Sequence, residues 1–312
     1  MTGILQSVYA NFRSFSAGMK AIFGFGSSSG GISRISNLVT ADGVVANDVV
    51  NASSTARASP ASAAFGIGEV IFYSGYLTSS YSSVFNTVTN TGIVSSDGAI
   101  IGTARYLASG TGYGTDKGII IGGNANAISY LGVTNLVSNN GTVAANVTFP
   151  VGATAKRNAA AARYGTDKAI FGYGSTAASL YTNSINLVSN TGVLGNDGVG
   201  AGTGRYAVGA AGYGTDKAIF GFGQTLSPGA VAITNLVSNT GVVAADQAAL
   251  TGTPRTQISA AGLGTDTAIF GFWSNPPAVT NLVSNTGVVA NDVACAVGVT
   301  TRNYIGAASY GS

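Results

Sequence analysis

No histidine occurs anywhere in the 312 residues, and cysteine occurs once, at Cys295. Without histidine no Ser-His-Asp or Cys-His arrangement can be assembled, and zinc chemistry is effectively excluded with it. A single thiol allows no internal disulfide, and the plain reading of Cys295 is a small buried hydrophobe. Charge is nearly as scarce: only 8% of residues are Asp, Glu, Lys or Arg, and the formal net charge is +3. No basic run carries interleaved aromatics, so nucleic acid is not expected as a partner. No stretch of eighteen apolar residues suggests a membrane-inserted helix. The opening residues lack both a basic region and a continuous apolar core, so no secretory signal is expected. No cofactor and no metal site is expected.

What is present is glycine, at 46 residues, and repetition. The phrase KAIFGFG starts at Lys20 and returns with variations at Glu69, Lys117, Lys168, Lys217 and Thr267. A second phrase, NLVSNTGVV or a relative, starts at Asn37, Asn86, Asn135, Asn186, Asn235 and Asn281. A third element, an arginine followed by a run of Ala, Gly and Ser, begins at Arg57, Arg105, Arg157, Arg205, Arg255 and Arg302. A period near fifty residues with short strands and tight turns is the signature of a propeller blade.

The last copy of the third element runs from Arg302 to the chain's end with no KAIFGFG after it, while the first KAIFGFG has no proper third element before it. This predicts an all-β, six-bladed β-propeller of four-stranded blades over residues 18–312, its ring closed by the C-terminal strand completing the first blade. Within a blade, strand one is the small-residue run, strand two KAIFGFG, strand three TNLVS and strand four VVAAD or similar. Asn-Thr-Gly reads as the three-four hairpin turn, its glycine supplying the positive φ. An innermost strand made of small residues suits six strands converging on one axis.

The arginine ahead of strand one and the glycine pair closing strand two, best seen at Gly122-Gly123, resemble the kelch propeller. The kelch Tyr-Asp of strand three and Trp of strand four are absent, so the resemblance covers topology and no kelch-specific partner. The fuller phrasing GYGTDKAIFGFG and TNLVSNTGVV looks like the propeller repeats of virion proteins of marine tailed bacteriophages, across residues 18 to 312. What this resemblance implies is a particle component of tail or fibre type, assembled in the host cytoplasm into a larger oligomer.

Of eleven carboxylates, five are strand-four aspartates (Asp48, Asp97, Asp197, Asp246 and Asp292), with Asn146 in the sixth place. Four more, Asp116, Asp167, Asp216 and Asp266, sit in the strand one-two turn, leaving Asp42 and Glu69. Chemistry usually breaks a symmetry, and no acid here breaks it. The six arginines and five aspartates share the four-to-one connection, which predicts a structural ring of blade-to-blade ion pairs. An anion-binding mouth is the alternative, and a sialidase-type site the remote one, since the Ser-x-Asp-x-Gly-x-Thr-Trp box of sialidases is missing.

The one-two and three-four turns should share one face of the disc and are nearly invariant. The two-three and four-one connections should share the other and differ in every blade. Variable loops on a uniform scaffold point to recognition, and aromatics among Ser and Asn suit sugar rings or a flat protein epitope. Candidate contacts are Tyr76, Tyr81, Phe85, Tyr130, Tyr181, Trp273 and Asn275. Ahead of the ring, Ile4, Leu5, Val8, Tyr9, Phe12 and Phe15 fall at helix-like spacing over residues 1–17, an apolar stripe suited to anchoring on other virion proteins. The functional expectation is a non-enzymatic virion protein displaying its propeller to a host-surface glycan or protein. The alternatives are a purely architectural virion subunit and a polysaccharide-processing enzyme.

Overall fold

The computed structural model describes residues 18–126, 129–177, 180–248, 252–272 and 278–311. These residues contain no helix and form six four-stranded antiparallel sheets, the blades of a β-propeller. Blade 2 shows the pattern, with Ala61–Phe65 innermost, followed outward by Glu69–Tyr73, Val84–Val88 and Gly98–Ala99. The innermost strands of blades 3 to 6 are Ser109–Tyr113, Ala160–Tyr164, Gly209–Tyr213 and Ser259–Leu263. Blade 1 draws on both ends of the chain. Its innermost strand, Gly306–Tyr310, pairs with Lys20–Gly24 from Lys20↔Tyr310 to Gly24↔Gly306. Innermost strands touch their neighbours around a complete circle, including Gly306–Tyr310 against Ala61–Phe65.

Each second strand is buried on both faces, which is why KAIFG carries an apolar run rather than alternation. Its closing glycine makes room for the next blade. A Cβ on Gly24, Gly221 or Gly271 would sit 2.8, 2.6 or 2.8 Å from the ring tip of Phe72, Phe270 or Phe23, each in the following blade. Where blade 2 has Tyr73 instead, blade 3 answers with Ile120 rather than Phe, and the two pack together. The fourth strand differs from the expectation. It is two residues long and follows the aspartate, as in Val49–Val50 and Gly98–Ala99, while the VVAAD segment makes a single bridge such as Val39↔Val45. The cause is a side chain: Asn37 donates its amide to the Ala46 carbonyl (3.0 Å) and to Asp48 (2.8 Å), holding the chain off the ladder between them.

A belt of backbone hydrogen bonds ties the one-two turns to one another. Gly66, Gly114, Gly165 and Gly214 donate to the carbonyls of Asp116, Asp167, Asp216 and Asp266, at 2.6 to 2.8 Å. Gly264 to Met19 and Gly311 to Gly68 complete the circle. The four aspartates also accept from Asn139, Asn190, Asn239 and Asn285 of the three-four turns, so both turns lie on one face, the uniform one. The bridge Ala58↔Tyr76 likewise joins a four-one connection to a two-three loop on the opposite face. A channel of about 660 Å³ runs along the axis between the faces, lined largely by the Ala, Gly and Ser of the innermost strands.

Candidate binding face

The basic residues expected to form an ion-pair ring form a different network. Each blade has an asparagine hub on its third strand, fully buried. The hub oxygen accepts from the basic side chain that opens the blade: Arg57 on Asn86 and Arg105 on Asn135 at 2.6 Å, Lys156 on Asn186 at 2.7 Å, Arg205 on Asn235 at 2.5 Å, with Arg255 on Asn281 and Arg302 on Asn37. The hub amide donates to the aspartate of the same blade in five blades, and to Asn146 in blade 3. The aspartate then accepts from the backbone and hydroxyl of a threonine two residues before the base, as Asp97 does from Thr55 and Asp246 from Thr203. Direct ion pairs are longer: Lys156–Asp197 at 3.6 Å, Arg205–Asp246 at 3.7 Å and Arg255–Asp292 at 3.3 Å. The predicted pairing therefore needs two corrections. An aspartate serves the base that opens its own blade, not the arginine next along the chain, because the incoming connection lies across that blade's outer strands. And the base of blade 4 is Lys156, not Arg157.

Burial is the largest influence on these groups. It pulls Arg57 and Arg302 down to about 10 against the opposing pull of Asp97 and Asp48, and Lys156 down to about 8 against Asp197. Burial raises the five aspartates, but hydrogen bonds from Thr and Asn and the nearby cation outweigh it and hold them below the usual carboxylate range. Aromatic rings of the preceding blade cover all five hub arginines, Arg105 from Tyr73 on the second strand (5.4 Å) and the other four from the residue just after that strand. Arg57 lies 3.9 Å over Phe25, Arg205 4.4 Å over Tyr173, Arg255 4.6 Å over Phe222 and Arg302 5.4 Å over Phe272. All four rings sit at φ between 59° and 65°, a region that costs a non-glycine residue strain. The stacked cation is the compensating gain. In blade 3 that position is Gly122, which has no ring, and there the base of the next blade is the lysine.

The residues just past each base build the mouth of the channel. Two positions on, Ser59, Leu107, Asn158, Ala207, Gln257 and Tyr304 all adopt positive φ, between 49° and 58°. They are linked head to tail across blades: Asn158 donates to the Leu107 carbonyl, Ala207 to Asn158, Gln257 to Ala207, Tyr304 to Gln257 and Ser59 to Tyr304. One position on lie Ala58, Tyr106, Arg157, Tyr206, Thr256 and Asn303, of which all but Thr256 bridge to the start of a two-three loop.

This arrangement gathers tyrosines. Tyr81 stacks on Tyr106 with ring centres 5.2 Å apart and planes 10° from parallel, and Tyr76 tilts against both at 6.1 and 5.4 Å. Tyr181 meets Tyr206 at 4.4 Å, and the guanidinium of Arg157 lies 5.0 Å over Tyr130. Burial, then Tyr181, pushes the Tyr206 phenol up to about 12; burial and Tyr106 raise that of Tyr304, and Arg157 opposes both shifts. Of the expected contacts, Tyr76, Tyr81, Tyr130 and Tyr181 thus lie in this cluster. Phe85 does not: it is on the third strand of blade 2, its ring covering Gly98 and packing into the core between blades 2 and 3. Trp273 and Asn275 lie outside the described residues, as do Ile4, Leu5, Val8, Tyr9, Phe12 and Phe15.

Tyr106, Tyr206, Tyr304 and the threonines were not singled out from the sequence, and Lys156 stood out only as an unusual residue of a variable four-one connection. The signal was there in the spacing Thr-x-base, which reads Thr55-Ala-Arg57, Thr103-Ala-Arg105 and Thr154-Ala-Lys156. Among the described residues no group of three or more Cys, Asp or Glu stands close enough to hold a metal ion. Comparison with protein-family models and with curated proteins finds no match to this chain.

Proposed function

We propose that the propeller is a non-catalytic recognition module whose tyrosine-lined mouth receives a glycan of a host surface, displayed by a virion protein of a tailed phage. One observation carries the glycan reading: Tyr76, Tyr81 and Tyr106 on one side and Tyr181 and Tyr206 on the other crowd a single face, around the axis. Partly exposed tyrosines beside amides such as Gln257 and Asn303 suit the flat apolar faces and hydroxyl edges of sugar rings. Glycoside hydrolysis needs two carboxyl groups flanking one bond, and the ring aspartates are committed to threonine and asparagine partners. The kelch-like order of elements and the phage-like phrasing of the repeats support the virion setting, on resemblance alone.

The test is binding of the full chain to bacterial surface polysaccharides, beside Tyr81→Ala and Tyr106→Ala. Saturable binding weakened about tenfold or more by either substitution is expected. Equal binding by all three proteins, or none by the unaltered chain, would remove the reading.

An architectural role has its own support on the opposite face. Val44, Ile93, Val193, Val242 and Val288, beside the three-four turns of five blades, are 49 to 67% exposed. A repeated apolar rim of this kind suits a flat seat on another subunit of the particle.

A further inference from the structure

Arg157 is where the sixfold pattern breaks. Every other blade places its arginine on the asparagine hub, whereas blade 4 gives that task to Lys156, which is fully buried against Asn186 and Ser184. The backbone confirms the shift. Gly123 donates to the Lys156 carbonyl as Gly75 does to Arg105 and Gly174 to Arg205, and Asn158, two residues past the lysine, takes the positive φ. Arg157 therefore occupies the position that is Tyr106 in blade 3 and Tyr206 in blade 5. A guanidinium stands between two tyrosines at the channel mouth.

Its surroundings leave that charge unmatched. Arg157 makes no ion pair among the described residues, and all eleven carboxylates of the chain lie within them. Five are fixed in the hub networks, while Asp116, Asp167, Asp216 and Asp266 are tied to asparagines on the uniform face. The guanidinium rests on Tyr130, and its Nε, like those of Arg57, Arg105, Arg255 and Arg302, is buried without a hydrogen-bond partner. The residue after Arg157, Asn158, is hydrogen-bonded through its backbone to Leu107 on one side (3.0 Å) and Ala207 on the other (2.8 Å), so Arg157 springs from the mouth between Tyr106 and Tyr206.

We propose that this space is a subsite for a carboxylated sugar, with Arg157 as the partner of the carboxylate and the flanking tyrosines as the platform for the ring. The assignment rests on the glycan reading above and names the class of glycan. The planar fork of arginine matches a carboxylate in two parallel hydrogen bonds, and a ring over Tyr206 or Tyr106 brings its substituents within reach of that fork. The unmatched cation also disfavours a neutral sugar less than it favours an acidic one, so the preference is a difference between two otherwise equal ligands.

The experiment uses the full chain with three probes: polygalacturonate oligomers, the same oligomers fully methyl-esterified, and a sulfated galactan. Arg157→Tyr is the informative variant, because it restores the residue its neighbouring blades already carry, and Arg157→Gln is the second. Polygalacturonate should bind at least about tenfold more tightly than its ester, and both variants should erase that preference. If acid and ester bind equally, or the preference survives in Arg157→Tyr, the carboxylate subsite is wrong and the glycan reading stands. Binding of the sulfated galactan in place of the uronate overturns the choice of carboxylate. If none of the three binds, the subsite fails together with the reading it rests on.

Discussion

A lysine in an arginine's place has a consequence that pH can reveal. Burial lowers Lys156 to about 8, from about 10.5 in an unfolded chain. The folded state therefore favours the neutral amine, and the unfolded chain binds the proton first as pH falls. The associated stability is fully present above the unfolded value, is lost as pH drops from about 10.5 towards about 8, and is constant below. Lys156→Arg keeps the positive charge and the hub contact used in five other blades, and it does not titrate in this window. Between pH 8 and pH 9 the unaltered protein should gain about 1 kcal/mol relative to Lys156→Arg in urea unfolding. A difference that stays flat across that interval would mean the lysine is not held neutral-leaning in its pocket. The same residue marks the limit of sequence reading. Counting arginines placed Arg157 in the ring, because a repeat unit is most easily aligned on its most conspicuous residue. The physics aligns on the Thr-x-base pair instead, since threonine and base clamp the same aspartate from two sides. Tyr76, Tyr81, Tyr130 and Tyr181 were legible as loop aromatics. Tyr106, Tyr206 and Tyr304 were not, because their place at the mouth depends on how six connections converge in space.

At the scale of strands, the inner three of each blade follow directly from local pattern, and the outermost does not. KAIFG and NLV are short apolar segments between glycine turns, and burial on both sides leaves them one conformation. The fourth strand is displaced because an asparagine side chain competes for ladder positions, an effect that strand propensity does not encode. Packing between blades is set by the glycine that ends strand two. In blade 5 a Cβ on Gly221 would lie 2.6 Å from Phe270 Cζ and 3.0 Å from Cε1, with the ring itself fully buried. Gly221→Ala should therefore cost about 1–3 kcal/mol, the usual penalty of overpacking. Phe270→Leu removes the clashing ring tip, so in the double variant the two costs should fall short of additive by at least about 0.5 kcal/mol. Additive losses in a denaturation cycle would show that the ring and the glycine do not meet across the blades.

The whole molecule is a circle that its chain enters and leaves within one blade, and that arrangement makes closure a long-range event. Gly306–Tyr310 pairs with Lys20–Gly24 over five residues, and the backbone belt passes through Gly264–Met19 and Gly311–Gly68 on either side of the joint. An open ring would expose the second strand of blade 1 along its inner edge, and blade 6 would lose the partner that Gly306–Tyr310 provides. Nothing in this scheme requires the break to lie between strands one and two. In blade 5 the same step is the continuous turn Gly214-Thr215-Asp216, and it supports the same ladder from Tyr213↔Lys217 onward. The four-one connection from blade 6 to blade 1 is a candidate new opening, since Val297 is fully exposed there. A circular permutant beginning at Gly298 and ending at Val297, with Ser312 joined to Met1, keeps every strand and moves only the cut. It should unfold in one cooperative transition within about 1–2 kcal/mol of the parent, since only surface loop ends change. A chain ending at Thr300 keeps the cut where it is and removes the closing strand, and it should lose the cooperative transition and associate through the exposed edge. If the truncated chain melts like the parent, the ring is held by its blades one at a time. If the permutant fails while the truncation folds, the ladder between the two chain ends contributes nothing that closure requires.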